Sequence, residues 1–316
     1  MPRLIVFLCM LFAGLAQAQP YPVKPIKLII PFPPGGSNDV IGRAIATQLG
    51  ERLGQGVVVD NRGGGGGLIG IDAAAKSAPD GYTLLLISTT LPMTIALGRV
   101  PQDVMKSFEP ISLLGSGPSV LAVPAALPVE SVRDLIELAK RKPGELNAGS
   151  AGIGSFQHFA TELFRLQAGV DFVIVQYKGG GPALTDTLAG HVHMNLGSLV
   201  QILPHIRSGK LRALGVGGSR RVPALPDVPT IAEAGVAGYE ANNWWGVLAP
   251  AGIPPAIASR LRQEIAAILE SPDTRKRFEV EGGETSRISA AEFGELIAVE
   301  TVKWTRVVKQ AGIKAE

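Results

Sequence analysis

Strand-like and helix-like segments alternate along most of this chain, and that alternation restricts the fold more than any other feature. Apolar runs at 26–31, 57–60 and 83–87 are each followed by a helical pattern or a less regular segment. Such alternation is the signature of β-α-β units around a largely parallel sheet. The sequence therefore predicts an α/β protein.

A second strand-helix series begins near Val120 and is followed by a helical tail from Pro254. Proline and glycine mark the junctions, in "GSGPSVLAVP" and in "RRVPALPDVPTIAEAGVAGYE". Two series and a tail are compatible with two independent lobes, or with two lobes that the backbone crosses twice. The pattern alone leaves both arrangements open.

The N-terminal segment has the features of a secretory signal peptide. Arg3 precedes an apolar run over 4–15 and the small-residue motif "AQA", so we expect cleavage after Ala18. The run is shorter than the roughly 20 residues that a membrane-spanning helix needs. Cys9 is the only cysteine, and Leu8 stands before it where a lipidation site needs a small residue. We therefore expect a soluble mature chain outside the cytoplasm, without lipid anchor, disulfide or thiolate chemistry.

Charge and motif patterns exclude several classes of function. The 30 Lys and Arg residues nearly balance the 27 Asp and Glu residues, and they are scattered, so no nucleic-acid-binding surface is indicated. The phosphate-loop pattern G-x-x-x-x-G-K-[ST] and the serine-hydrolase pattern G-x-S-x-G do not occur. The sequence therefore supports neither a phosphate-loop NTPase nor a serine hydrolase with that motif.

The turn "PFPPGGSND", residues 31–39, carries the clearest chemical signal. Its prolines restrict the backbone, Gly35 and Gly36 permit close approach, and Ser37, Asn38 or Asp39 can cap the following helix. Free N–H groups at a helix N-terminus favour an anion by about 0.3–1 kcal/mol when the charge is exposed. The alternative is an ordinary strand-helix turn, which also needs glycine and a cap.

Similar turns recur, which favours a binding site. "STTLP" at 88–92 and "GSAGIGSFQH" at 149–158 also place small hydroxyl residues and glycines after strands. Ligands of open α/β sheets bind beyond the carboxyl ends of strands. Three such turns in two series predict one site between two lobes.

Other motifs have a plainer interpretation beside the functional one. The glycine run at 63–67 satisfies G-x-G-x-x-G together with Gly70, but no acidic ribose partner follows, so a flexible turn or close packing is favoured over nucleotide binding. His191 and His193 are predicted on one side of a strand and lack a third metal ligand, which favours exposed histidines. Trp244 and Trp245 are predicted to pack at a lobe junction rather than to form a stacking cage.

In these turns the sequence resembles the Bug family, the extracytoplasmic solute-binding receptors of tripartite tricarboxylate transporters. The resemblance keeps the family order of motifs and covers almost the whole mature chain. The matching stretches are "PFPPGGSND", "VVVDNRGGGGGLIG", "PDGYTLL", "GSAGIGSFQH", "YKGGGPALTDTLAGHV", "PHIRSGKLRALGV", "LPDVPTIAEAG", "WWGVLAPAGIP" and "VVKQAGIK".

The resemblance implies a two-lobed type II periplasmic-binding-protein fold, the Venus flytrap, with two backbone crossovers. Residues 19–121 and 243–316 would form the first, discontinuous lobe, and residues 122–242 the second. The implied function is capture of a small carboxylate, an organic acid or an acidic amino acid, by a monomeric periplasmic protein. No enzyme activity, cofactor, metal or nucleic acid is implied.

The resemblance also implies which residues contact the ligand. Two departures from the family pattern, Pro33 and the "RGGGGG" run, leave the identity of the carboxylate open. The implied ligand-binding residues are Phe32, Gly36, Ser37, Asp39, Ser88, Thr89, Ser150, Gly154, Ser155, His158 and Tyr177. His158 is equally well explained as a surface residue of its helix.

The implied partners are the integral-membrane permease subunits of such a transporter. A receptor-like protein that senses its ligand for a signalling partner, without transport, is the alternative. An enzyme on the same fold is disfavoured because the sequence has no visible nucleophile-base pair.

Overall fold

The computed structural model describes residues 21–280 and 282–314 as an α/β fold. The predicted signal peptide lies outside these residues. The strands are β1 Ile26–Ile30, β2 Val57–Asn61, β3 Thr83–Ser88, β4 Phe108–Pro124, β5 Asn147–Ser150, β6 Val173–Gln176, β7 Met194–Ser198, β8 Leu211–Val216, β9 Asn242–Pro250 and β10 Glu284–Thr285. The α-helices are α1 Ser37–Leu53, α2 Leu68–Ala75, α3 Thr90–Ala96, α4 Val132–Arg141, α5 Phe156–Ala168, α6 Gly180–Leu188, α7 Leu199–Arg207, α8 Pro255–Glu270, α9 Pro272–Val280 and α10 Ala290–Ala311.

The first lobe is built on β1, which pairs in parallel with β2 and β3, while β9 runs antiparallel to β3. Successive strand residues face opposite sides of a sheet. Leu28 accordingly packs with Ile45 of α1 and Leu261 of α8, whereas its neighbour Ile29 packs on the other face with Ile71 of α2 and Phe293 of α10. Helices therefore cover both faces, as the apolar β1 sequence requires.

The second lobe is built on β5, which pairs in parallel with β6 and β7. The strands β7 and β8 both run antiparallel to the second part of β4. Helices α4 and α5 contribute to one core cluster, and α6 and α7 contribute to another.

Strand β4 belongs to both lobes. Its residues up to Pro118 pair with β9, and from Ser119 onward it pairs with β7 and β8. The change of partner falls between Pro118, opposite Asn242, and Ser119, opposite Ser198. The chain returns to the first lobe in β9, so the backbone passes between the lobes twice. The predicted α/β class with two crossovers is confirmed.

Helix α10 contacts the cores of both lobes. It begins at a capping box, in which the Ser289 hydroxyl accepts from the backbone N–H of Glu292, and the Glu292 carboxylate accepts from the backbone N–H of Ser289. Phe293, near its start, lies in a core cluster of the first lobe. Trp304, three turns later, packs edge-to-face on Phe159 of the second lobe, with ring centroids 5.3 Å apart. The helix therefore braces one lobe against the other.

The structure corrects the predicted position of two histidines and adds one finding about the helices. His191 and His193 lie in bends before β7, not on a strand, and the backbone N–H of Asn147 donates to Nδ1 of His193. In the part of the chain that the structure describes, no helix has the length and apolar character needed to cross a membrane.

Candidate ligand-binding cleft

A small cavity of ≈ 40 Å³ lies where turns of both lobes meet. A cavity of this size holds about three water molecules. Apart from Asn243, at the start of β9, its wall comes from the carboxyl-terminal ends of strands, the turns that follow them and the first turns of the next helices. The lining residues are Phe32, Gly36, Ser37, Asn38, Ser88, Thr90, Ala151, Ser155, Phe156, Gln157, Gly180, Ser198, Gln201 and Asn243.

The turn after β1 brings the N-terminus of α1 to this cavity. Gly35 has φ +85°, a conformation that glycine adopts without steric cost. Gly36 caps α1 with an extended backbone and no side-chain hydrogen bond. The first N–H groups of a helix have no partner within the helix. Ser37 and Asn38, which line the cavity, carry such groups.

Asp39 braces this turn from behind the cavity. Its carboxylate accepts hydrogen bonds from the Gly35 N–H at 3.1 Å, from Asn61 Nδ2 at 3.0 Å and from Arg43 Nε at 3.0 Å. Burial by itself would raise the pKa of Asp39, but these hydrogen bonds and the Arg43 charge outweigh it and hold the pKa below its ordinary value. Asp39 is thus ionised and its oxygens are engaged within the first lobe.

The turn after β3 joins the two lobes through hydroxyl groups. The Ser88 hydroxyl donates to Thr90 Oγ1 at 3.2 Å, and the backbone N–H of Phe156 in the second lobe donates to the same Thr90 oxygen at 3.3 Å. Thr89 Oγ1 instead accepts the backbone N–H of Trp244 at 3.0 Å, so it ties β3 to β9. Thr90, and not Thr89, forms part of the cavity wall.

The turn after β5 supplies the start of α5. Ser155 caps this helix, because its Oγ accepts the backbone N–H of His158 at 3.2 Å. Nδ1 of His158 accepts the Gly154 N–H at 3.4 Å, behind the cavity wall. Burial lowers the pKa of His158 from its ordinary value, and the attraction of Glu162 only partly opposes this. The imidazole is therefore neutral at pH 7 and adds no positive charge to the site.

The N-terminus of α6 faces the N-terminus of α1 across the cleft. A Cβ built on Gly36 would lie 3.9 Å from the Gly180 nitrogen. A Cβ on Gly181 would lie 2.6 Å from the carbonyl oxygen of Pro34. The absence of side chains at these glycines lets the lobes approach backbone to backbone, and it brings two positive helix ends together.

Four buried side chains that line the cavity carry polar atoms without a hydrogen-bond partner within the described residues. These atoms are Gln157 Oε1, Ser198 Oγ, Gln201 Nε2 and Asn243 Oδ1. Buried polar groups are nearly always paired, and leaving one unpaired costs about 1–3 kcal/mol. Their concentration around one cavity indicates a site that a polar molecule completes.

The cavity wall carries no fixed charge: its lining residues, all within the described part of the chain, have no ionisable side chain. An anion held there interacts with backbone N–H groups, helix ends, hydroxyls and amides. In the same described residues, no group of three or more His, Cys, Asp or Glu is arranged to hold a metal ion.

Five of the eleven predicted ligand-binding residues line the cavity, and six do not. Phe32, Gly36, Ser37, Ser88 and Ser155 form part of its wall. The others lie outside the wall: Asp39, Thr89, Ser150, Gly154, His158 and Tyr177. The Tyr177 hydroxyl donates to Asp186 at 2.6 Å, and Ser150 is fully buried next to the lining residue Ala151. Ligand contact by any of the eleven stays a prediction.

The sequence interpretation omitted much of the second lobe's wall. Gly180 follows β6 in "YKGGGP" and therefore occupies a strand-helix turn like the others, which was a usable signal. Ser198 is the last residue of β7 and Gln201 lies in the first turn of α7, so "GSLVQ" is a strand-helix junction of the same kind. Gln157 and Asn243 have weaker signals, since neither is a glycine or a small hydroxyl residue; Gln157 stands beside His158, and Asn243 stands beside Asn242.

The glycine run and the tryptophans have packing roles. A Cβ on Gly63 would lie 2.6 Å from Cδ of Pro33, and a Cβ on Gly66 would collide with the carbonyl oxygen of Ile153 in the second lobe. The run therefore permits close contact with the first turn and with the other lobe. Trp245 is fully buried, and Trp244 packs edge-to-face on Phe293 at 5.5 Å.

Comparison with known proteins identifies the family of this chain. The model of the tripartite tricarboxylate transporter family receptor matches residues 41–313. The chain belongs to this receptor family. Protein BugT of Bordetella pertussis is 41% identical over 308 residues, which cover 96% of this chain and 94% of BugT. The resemblance to the Bug family is thereby confirmed.

Two solved structures of similar proteins match almost the whole receptor. The R. palustris protein Rpa4515, solved with adipate, is 37% identical with a TM-score of 0.89 and covers 93% of this chain and 99% of its own. MatC of Rhodopseudomonas palustris, solved with bound malate, is 30% identical with a TM-score of 0.86 and covers 91% of this chain and 100% of its own. The two-lobed periplasmic-binding-protein fold is confirmed, and the family is one of solute-binding receptors.

Proposed function

We propose that this protein captures a small carboxylate in the cleft between its lobes and delivers it to the membrane permease of a tripartite tricarboxylate transporter. One observation carries the proposal: two helix N-termini, one from each lobe, meet unpaired buried polar atoms at a single cavity. Helix N-termini bind anions through free N–H groups and the helix dipole. The adipate and malate in the two related structures support a carboxylate as the anion.

The lobes move relative to each other in this proposal, with a division near residues 121 and 242. The two lobes touch directly: Arg99 Nη1 donates to the Ile153 carbonyl oxygen at 3.0 Å, and Phe156 N–H donates to Thr90 Oγ1 at 3.3 Å. A ligand enters the small cavity only after these contacts open. Ligand then favours closure because donors on both lobes contact it only in the closed state.

Small-angle X-ray scattering is expected to show a smaller radius of gyration at saturating carboxylate than without it. The physical reason is that ligand binds the closed state better than the open one, and only this differential affinity shifts the equilibrium. An unchanged profile at saturation, together with an open form in the absence of ligand, contradicts hinge closure.

A thermal-shift screen is expected to find a stabilising carboxylate. The screen includes mono-, di- and tricarboxylates, aromatic acids and acidic amino acids, each with its neutral amide as the matched control. A ligand at 100 times its Kd stabilises the folded state by about 2.7 kcal/mol. If no acid stabilises the protein more than its amide does, the proposed carboxylate site is wrong.

Delivery and export are tested separately. We propose that a cleaved signal peptide directs the chain to the periplasm, and intact mass of the exported protein checks cleavage after Ala18. Uptake of the identified acid into membrane vesicles that contain the permease is expected to require the ligand-loaded receptor. The acid is expected to be recovered unchanged after incubation with the receptor, since the proposed role is binding without turnover.

A further inference from the structure

A buried chain of hydrogen bonds stands behind the second lobe's side of the cavity. Gln157 Nε2 donates to Asn195 Oδ1 at 2.8 Å, and Asn195 Nδ2 donates to Thr187 Oγ1 at 3.1 Å. The Thr187 hydroxyl donates in turn to the carbonyl oxygen of Ala183 at 2.7 Å. Asn195 and Thr187 are fully buried, and Gln157 is 5% exposed.

The last member of this chain determines the direction of every bond in it. The Ala183 carbonyl can only accept, so the Thr187 hydroxyl proton points to it and Thr187 Oγ1 is left as an acceptor. Asn195 must then turn its NH₂ group to Thr187 and its oxygen to Gln157. Gln157 must turn its own NH₂ group to Asn195. The orientation of the Gln157 amide therefore follows from the network, although an isolated amide is ambiguous.

Because Asn195 engages the NH₂ group of Gln157, only the Gln157 carbonyl oxygen is left to bind a ligand. This oxygen is an acceptor with no partner within the described residues. This oxygen and Gln201 Nε2 both lie 3.3 Å from the point that a Cβ on Gly180 would occupy, so the two amides flank the start of α6. Gln201 Nε2 and Asn243 Oδ1 also have no hydrogen-bond partner within the described residues. The hydrogen bond to Asn195 sets the orientation of the Gln157 amide, whereas no hydrogen bond fixes either of these two atoms.

We propose that Gln157 selects carboxylates that carry a hydrogen-bond donor, a hydroxyl or an ammonium group, close to the bound carboxylate. This inference rests on the proposed function and specifies its ligand class. A donor on the ligand pairs the Gln157 oxygen, while the helix ends and Gln201 pair the carboxylate. A plain alkanedioate would leave that oxygen unpaired or would place a carboxylate oxygen against it, acceptor against acceptor.

The missing side chain of Gly197 leaves space for the hydrogen bond between Gln157 and Asn195. A Cβ on Gly197 would lie 2.6 Å from Gln157 Nε2 and 2.8 Å from Asn195 Oδ1. A side chain at 197 would therefore displace the bond that orients Gln157. Gly197, in "NLGS", is therefore needed for the orientation of Gln157 as well as for β7.

The test compares acids that differ by one donor, by isothermal titration calorimetry of the whole mature protein. The pairs are malate and succinate, 2-hydroxyglutarate and glutarate, 2-hydroxyadipate and adipate, and aspartate and succinate. For the chain length that fits, we expect the donor-bearing acid to bind at least tenfold more tightly than its partner. In Gln157→Met, which keeps length but removes the acceptor, this ratio should fall toward one. Gln167→Met, an exposed substitution on the same helix, is the matched control and should keep the ratio.

Thr187→Val tests the positioning role without touching the cavity wall. Valine keeps the shape of threonine but removes the hydroxyl, so Asn195 and Gln157 are free to rotate. We expect the selectivity ratio to fall while affinity for the plain acid is kept or increased. A merely structural role of Thr187 would instead weaken both acids equally. This variant and the wild-type ratio decide the matter if Gln157→Met does not fold.

The possible outcomes separate this inference from the proposed function. Equal or tighter binding of the plain acid by the wild-type protein overturns the inference alone, and would mean that a bound water satisfies Gln157 for every ligand. Binding of no carboxylate at all overturns the proposed function and the inference with it. A donor preference that survives Gln157→Met places the selection elsewhere in the cavity.

Discussion

Gly181→Ala is expected to weaken carboxylate binding by at least tenfold, about 1.4 kcal/mol, without weakening the fold. The new Cβ would lie 2.6 Å from the Pro34 carbonyl oxygen and 3.4 Å from the carbonyl carbon of Gly35. Both atoms belong to backbone in the opposite lobe, so no side-chain rotation relieves the collision. The substitution therefore acts against the closed state and leaves the open state intact.

Opposite effects on binding and on stability identify this mechanism. Gly181 lies in the first turn of α6, where alanine is a better helix former than glycine by up to about 1 kcal/mol. The free energy of unfolding without ligand, from urea denaturation, should stay the same or rise. Gly294→Ala in α10, whose Cβ would only touch Pro110 Cγ at 3.5 Å, is the control and should not change affinity. Native affinity in Gly181→Ala would mean that the backbone at Gly181 does not approach the backbone at Pro34 and Gly35 this closely in the ligand-bound state.

Gly36→Val is expected to reduce affinity by tenfold or more while the protein remains folded. Gly36 has φ −84° and ψ 170°, a conformation that valine adopts readily, so the backbone is not strained. Its Cβ would face the Gly180 nitrogen at 3.9 Å, and the two methyl groups of valine would then occupy the space between the helix ends. The ligand carboxylate would lose its place beside the N–H groups of α1.

The matched control for this substitution is Gly36→Ala. A single Cβ at 3.9 Å is ordinary van der Waals contact, so we expect only a small loss of affinity. Isothermal titration against the identified acid, with circular dichroism to check folding, compares the two variants. A folded Gly36→Val protein that binds as well as the wild type would mean that the carboxylate does not lie at this turn.

Local sequence patterns were sufficient for the α/β class and for the first turn, whereas the two crossovers were implied only by the resemblance to the Bug family. The apolar run at Ile26–Ile30, the glycines at 35–36 and the following helical stripe each act within a few residues, so their structure follows from short-range chemistry. The same holds for Ser155, which caps α5 as a serine after a glycine turn should.

The rest of the site depends on contacts between distant segments. The orientation of the Gln157 amide depends on hydrogen bonds that link it to Asn195 of β7 and, through Asn195, to Thr187 of α6. The hydrogen bonds from Arg43 to Asp39 and from Tyr177 to Asp186 are likewise formed only in the fold, and ligand contact by Asp39 and Tyr177 stays a prediction of the resemblance. No periodicity reveals such pairings, because they depend on how α5, β7 and α6 are placed relative to one another.

The shared strand β4 limits how this receptor can be rebuilt by recombination. Because Pro118 pairs in one lobe and Ser119 in the other, a splice at the boundary cuts a continuous strand. The second lobe is also held by Trp304 from the C-terminal helix, far along the chain from its other core residues. A chimaera that takes a new second lobe from a relative must therefore also import a matching end of α10. Exchange of the inserted segment alone would leave the Trp304 ring against a foreign core.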